Sequence, residues 1–149
     1  MEVVAFNDCK DKSRIIQEIK TCGWSGGEFL AYILQENRLE STLGIGAEVY
    51  MLFDGENLTS YCTLSPNDDI PNTEYTPWIG FVFTFPRYRN QGYARLLMAR
   101  VEDLARSNGN EFVYVSTNHT DLYEHMGYEY FKALKDIYGE PSRVYHKKL

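Results

Sequence analysis

The stretch Phe83-Thr84-Phe85-Pro86-Arg87-Tyr88-Arg89-Asn90-Gln91-Gly92-Tyr93-Ala94-Arg95-Leu96-Leu97 constrains the fold more than any other part of the chain. Aromatic and β-branched residues from Trp78 to Phe85 predict a strand, Pro86 ends it, and a polar turn leads into a helix predicted over Gly92 to Asn108. Leu97, Val101 and Leu104 recur at helical spacing, so one face of this helix must lie on a sheet, and Gly109 supplies its stop. A strand that feeds a helix in this way leaves the first backbone N–H groups of the helix unpaired, with partial positive charge, at the turn. Small residues at Gly92 and Ala94 allow a pyrophosphate to approach those donors, and Arg89 and Arg95 add charge. The turn has neither the Gly-Lys-Ser/Thr ending of a P-loop nor the glycine triplet of a dinucleotide fold, which removes both of those nucleotide readings.

The remaining elements surround this unit. Ile15, Ile16 and Ile19 within Lys12 to Lys20, then Phe29, Leu30, Ile33 and Leu34, mark two short helices after a short first strand. Gly23 and Ser25-Gly26-Gly27 separate them, and Trp24 is expected to pack between them. Glu48 to Phe53 and Leu58 to Leu64 read as a hairpin turned at Asp54-Gly55, and Ser65 to Asn72 is a loop full of turn formers. After the long helix come a strand at Glu111 to Ser116, a short helix at Thr120 to Met126 ended by Gly127, and strands near Tyr128 to Tyr138 and Arg143 to His146. This order is not a strand–helix alternation, so a mixed α+β sheet is expected rather than a doubly wound one. No linker or repeat interrupts residues 1–149, which are read as one domain.

A net charge of −6 with no long basic stripe excludes a phosphate backbone as the natural partner, and nucleic acid is not expected. No apolar run is long enough to cross a bilayer and no basic-then-apolar leader opens the chain, so a cytoplasmic protein with no membrane partner is expected. Cys9, Cys22 and Cys62 are odd in number and widely spaced, which suggests free thiols. His119, His125 and His146 lack zinc spacing, and no metal site is expected.

Three segments together resemble the GNAT superfamily of N-acetyltransferases. Arg89-x-x-Gly92-x-Ala94, preceded by Pro86-Arg87-Tyr88-Arg89, is similar to the family's R/Q-x-x-G-x-G/A signature. Leu122-Tyr123-Glu124-His125-Met126-Gly127-Tyr128 resembles its L-Y-E-x-x-G-F/Y segment, and Pro77-Trp78-Ile79-Gly80-Phe81-Val82-Phe83 resembles a strand shared by members acting on small molecules. The likeness runs from Gly46 to the C-terminus, whereas the N-terminal third matches loosely. Ser116-Thr117-Asn118-His119-Thr120 is shorter than the corresponding connection in many members, so coenzyme contacts there are not carried over.

The resemblance implies a central, mostly antiparallel, splayed sheet of about six to seven strands flanked by about four helices. It implies transfer of an acetyl group from acetyl-CoA to a primary amine by direct attack, with no metal. Coenzyme contacts fall on Val82, Phe83, Thr84, Arg89, Asn90, Gln91, Gly92, Tyr93, Ala94 and Arg95. By the same resemblance Tyr123 is the general acid that protonates the departing thiolate, and the Thr84 N–H is the oxyanion donor.

The acceptor is less constrained. A neutral amine is required for attack, and an alkyl amine has a pKa of about 10.4, so proton removal is part of the chemistry. Asp68, Asp69 and Glu74 precede the splayed strand and are candidates to hold a small cationic amine or to accept its proton through water, with Trp78 as a further substrate contact. No carboxylate lies between Trp78 and Phe85, where many members carry a glutamate base, so no base is assigned; Glu48 and His119 are further candidates. The missing glutamate also keeps open a non-catalytic, CoA-binding module. Oligomeric state is open, a homodimer included.

Overall fold

A computed structural model describes residues 1–149. In chain order the elements are β1 (Glu2–Ala5), α1 (Lys12–Lys20), α2 (Ser25–Gln35), α3 (Leu39–Leu43), β2 (Glu48–Asp54), β3 (Asn57–Ser65), β4 (Trp78–Thr84), α4 (Tyr93–Ser107), β5 (Phe112–Ser116), β6 (Glu129–Lys135) and β7 (Pro141–Lys148). The strands form one open seven-stranded sheet in the order β1-β2-β3-β4-β5-β7-β6. Every pairing is antiparallel except β4 with β5. This is the mixed α/β architecture with four helices that the sequence suggests.

Alternation along the strands sends side chains to two apolar layers. On one face Val49, Met51, Leu58 and Tyr61 pack under Ile15, Ile19, Leu30 and Ile33 of α1 and α2. On the other Leu52, Cys62, Leu64, Ile79, Val113 and Val115 pack against Leu97, Met98, Val101 and Ala105 of α4. Each fully buried aliphatic side chain here contributes about 1.5–3 kcal/mol, which anchors all three helices to the sheet. The first helix is also capped, because the Asp11 side chain accepts a hydrogen bond from the Arg14 N–H at 3.3 Å.

Several elements differ from expectation for identifiable reasons. The buried face of α4 runs through Leu97, Met98, Val101, Glu102 and Ala105, while Leu104 is 39% exposed. Of the stripe read at Leu97, Val101 and Leu104, the first two are buried and the buried face continues through Ala105 rather than Leu104. Phe29, expected inward, is 48% exposed and stacks on Phe81 instead. Thr120–Met126 does not form an α-helix: Asp121 takes a left-handed φ of 64°, and only a single 3-10 turn at Glu124–Met126 follows. The last hairpin turns earlier than expected, since the Asp136 carboxylate accepts the N–H groups of Tyr138 and Glu140 at 2.8 and 3.0 Å. Helix α3 carries no periodic apolar signal of its own and was not anticipated.

Candidate active site

The site begins with an irregularity in β4. Tyr61 stands opposite Phe83 and Thr63 opposite Gly80, so Phe81 and Val82 together face the single residue Cys62. This is a β-bulge, and Phe81 absorbs it with a φ of 51°. The extra residue changes the faces of β4. Ile79 and Val82 both pack toward α4, while Phe81 and Phe83 both pack toward α2. On its other side β4 pairs with β5 at one position only, Trp78 with Tyr114, and the two strands then diverge.

That divergence frees backbone groups. The Phe85 N–H donates to the Thr59 carbonyl at 3.0 Å. In an antiparallel ladder the bonded pairs alternate, so Thr59–Phe85 and Tyr61–Phe83 face each other through hydrogen bonds and Thr84 turns its N–H and C=O away from β3. The Thr84 carbonyl accepts the Arg89 Nε–H at 2.9 Å, and the Arg89 guanidinium lies 5.3 Å from the Phe83 ring centre. The Thr84 N–H points into the gap beside β5.

The turn after β4 presents a second set of donors. Asn90 and Gly92 adopt left-handed φ values of 63° and 78°, which aim the chain into α4. No side chain caps this helix, and its first internal bond runs from the Leu96 N–H to the Gly92 carbonyl at 3.0 Å. The N–H groups of Tyr93, Ala94 and Arg95 thus have no helical acceptor and carry the positive end of a 15-residue helix. A Cβ added at Gly92 would meet nothing within 4 Å, so the turn surface at this residue is open. Arg95 donates to the His125 carbonyl and ties the start of α4 to the 3-10 turn at Glu124–Met126.

A cleft of about 1060 Å³ joins these features, lined by Val82–Thr84 of β4, by Arg89, Asn90 and Gly92–Arg95 of the turn, and by Tyr123. Gln91 is the one turn residue of the set that does not line it; its side chain donates back to the Arg87 carbonyl at 3.4 Å. Trp78 is fully buried at the far end of β4, its indole N–H donating to the Tyr75 carbonyl, and it does not reach the cleft. Glu74 lines a separate hollow between the β3–β4 loop and the β6–β7 turn. Asp68 and Asp69 lie in that loop with one buried carboxyl oxygen each and no hydrogen-bond partner for it. Glu48 accepts from the Val49 N–H and neighbours Asn7 and Asp8, away from the cleft, whereas His119 lines it.

Tyr123 closes the inner wall. It is 6% exposed and packs edge-on against Tyr128, at 5.8 Å between ring centres, and beside Tyr145. Its hydroxyl makes no hydrogen bond within the protein and is left to the cleft. Burial pushes its pKa up, with Cys62 and Asp68 adding to the effect, so the phenol stays protonated at neutral pH. Behind it the Tyr128 hydroxyl donates to Glu102 Oε2 at 2.7 Å, and Lys147 Nζ donates to Glu102 Oε1 and to the Met126 carbonyl, each at 2.8 Å.

Several cleft residues were not assigned to the site from the sequence, among them two from the α1–α2 connection. Cys22 and Trp24, from the α1–α2 connection, form the opposite rim. Trp24 stacks flat on Phe83, with 5.5 Å between ring centres and 5° between planes, rather than wedging between the helices. The only signal was an aromatic residue in a glycine-rich connection.

Residues 14–128 match the model of the acetyltransferase (GNAT) family, and the chain belongs to that family. It is accordingly an acetyl-CoA-dependent acyltransferase. Solved structures agree in fold. A protein of Desulfovibrio desulfuricans assigned to the GNAT acetyltransferases is similar over 99% of both chains, at 18% identity and a TM-score of 0.73. An aminoglycoside 6'-N-acetyltransferase complexed with coenzyme A is similar over 99% of this chain and 97% of its own, at 12% identity and a TM-score of 0.71. An acetyltransferase of Streptococcus agalactiae is similar over 99% and 98%, at 20% identity and a TM-score of 0.67. No curated protein matches the sequence at a significant level.

Proposed function

We propose that residues 1–149 are a single N-acetyltransferase domain that moves the acetyl group of acetyl-CoA to a primary amine of a small cationic substrate by direct attack. The observation that carries this reading is the shared cleft: uncapped helix donors, the free edge of β4 and a buried, protonated tyrosine open onto the same volume.

Each part has a physical task. The N–H groups of Tyr93, Ala94 and Arg95 bind the pyrophosphate, and the Gly92 surface gives it room to approach. The free edge at Val82 and Phe83 aligns the pantetheine arm as an added strand would be aligned. This puts the thioester beside Thr84, whose N–H stabilises the oxyanion as the amine attacks. Tyr123 then gives its proton to the thiolate, which makes the leaving group a neutral thiol. Trp24, stacked on Phe83 at the opposite rim, narrows the approach of the acceptor.

The reading of the acceptor as a cationic amine rests on the net charge of −6 and on the carboxyl groups of the β3–β4 loop. One structurally similar protein is an aminoglycoside 6'-N-acetyltransferase, a precedent for an acceptor of this kind on the same fold. A cytoplasmic location fits the three free cysteines, and no helix is long and apolar enough to cross a membrane.

The test is thiol release from acetyl-CoA in the presence of spermidine, lysine or kanamycin. Acceptor-dependent release that disappears in Tyr123→Phe while acetyl-CoA still binds supports turnover. Binding of acetyl-CoA with no release in the presence of any amine supports a non-catalytic coenzyme-binding module instead.

A further inference from the structure

The glycine-rich connection between α1 and α2 takes no part in holding the coenzyme, yet its residues are placed with little freedom. Trp24 stands at the N-cap of α2 with an extended backbone, where serine, threonine, aspartate or asparagine usually accepts a helix N–H. Its side chain makes no such bond. The indole instead lies flat on the Phe83 ring and edge-on to Phe81, with 5.5 and 6.3 Å between ring centres. The two glycines that follow leave it room. A Cβ built at Gly26 would collide with the indole, and one at Gly27 with Cys22 Sγ and the Tyr61 hydroxyl.

Trp24 is part of an aromatic strip. In a regular strand Phe81 and Phe83 would follow Ile79 toward α4, and the bulge turns both to the α2 face. Phe81 then stacks on Phe29, with 6.3 Å between ring centres and 20° between planes. The strip runs from Phe83 and Trp24, which line the cleft, to Phe29, which is 48% exposed on α2. Phe83 adjoins Thr84, whose N–H marks the place of the acetyl group in the reading above. One end of the strip therefore lies beside the reacting carbon and the other in water, and a contiguous apolar surface of this kind at the mouth of a cleft marks a ligand groove.

Charge narrows what the strip can receive. No aspartate or glutamate lines the cleft, whereas Arg89 and Arg95 do, and Asp68, Asp69 and Glu74 lie outside its lining. The acceptor must carry one amine, but every further ammonium group would enter beside arginines without a counter-charge. An aromatic ring needs no counter-charge, and it gains by leaving water for the indole and the Phe83 ring.

We propose that the acceptor is an arylalkylamine, one primary amine on a short chain that bears an aromatic ring, and that Trp24 is the residue that selects it. This rests on the acetyltransferase reading above and narrows its small cationic substrate to a monoamine. The ring packs on Trp24 and Phe83 where they line the cleft, and the short chain carries the nitrogen to the thioester beside Thr84. Gly26 is a positioning residue, because it acts only through the indole that it admits.

The experiment measures kcat/KM for thiol release from acetyl-CoA with 2-phenylethylamine, butylamine and spermidine. All three present a primary amine on an alkyl chain and differ in what the chain carries. The wild type favours 2-phenylethylamine over each of the others by about tenfold or more. Trp24→Ala brings 2-phenylethylamine and butylamine within about twofold of each other. The change falls on KM rather than kcat, because the ring contact is the same in the ground state and the transition state. Trp24→Phe, which retains a ring, keeps the preference. Gly26→Ala lowers it with the indole still present, and alanine suits a helix better than glycine, so this variant folds. A wild type that favours spermidine, or that treats butylamine and 2-phenylethylamine alike, overturns the proposal and leaves the acetyltransferase reading intact. A Trp24→Ala variant that loses stability but keeps the preference does the same. Acetyl-CoA bound by the wild type with no thiol release from any amine overturns that reading, and this one with it.

Discussion

The Tyr128 hydroxyl donates a 2.7 Å hydrogen bond to Glu102 Oε2, a carboxylate only 4% exposed on the inner face of α4. Lys147 compensates the charge from β7 at 2.8 Å, and the same ammonium holds the Met126 carbonyl. The long helix, the last strand and the turn that carries Tyr123 are thereby joined at one buried point. Removing one member of a buried ion pair strands the other in a medium that solvates it poorly. Glu102→Ala should lower unfolding free energy by about 3 kcal/mol, read from urea denaturation followed by circular dichroism. A variant as stable as the wild type would show that the pair contributes nothing net.

Tyr123→Phe removes one hydroxyl from a wall that is otherwise apolar. The ring contacts with Tyr128 and Tyr145 persist, so stability and acetyl-CoA affinity should be close to wild type. The rate constant kcat should fall about 100-fold or more, measured by thiol release at saturating acetyl-CoA. Restored activity with an added small acid would agree with loss of a proton donor alone.

Most of the coenzyme side of this site was legible from residues, and most of the acceptor side was not. Pro86, the polar turn and Gly92 are local signals whose geometry follows from proline's fixed φ, glycine's freedom and an amphipathic helix behind them. The bulge at Phe81 carried no such mark, because a left-handed φ at an aromatic residue is imposed by packing on Phe29 and Trp24 rather than by local preference. Once that bulge is missed, the faces of Phe83 and Thr84 are misassigned relative to the first half of β4. Trp78 illustrates the same limit from the other side. Its type suggests a substrate contact, yet its place in the only β4–β5 pair, opposite Tyr114, makes it core.

The raised pKa of Asp68 has a consequence for stability whose sign is definite. An unfolded aspartate titrates near 3.9, and the folded carboxyl holds its proton up to about 8. Below about pH 4 both states are protonated. Between these values the unfolded chain has released a proton that the folded chain keeps, so this group lowers stability as pH rises. Asp68→Asn should therefore match the wild type near pH 4 and exceed it near pH 8 by up to about 5 kcal/mol, read from thermal melts at the two pH values. A variant less stable at pH 8 would mean that the ionised carboxylate is paired.

The most direct measurement is calorimetric titration of acetyl-CoA into the wild type and into Gly92→Trp. Gly92 presents an open turn surface next to the uncapped N–H groups of α4, so an indole there blocks the approach of a pyrophosphate, while the left-handed φ adds about 1–2 kcal/mol of strain. Saturable binding at a single site in the wild type, lost in a Gly92→Trp variant that still melts cooperatively, is the predicted result. No binding to the folded wild type, or undiminished binding to the folded variant, would contradict a coenzyme site on this turn.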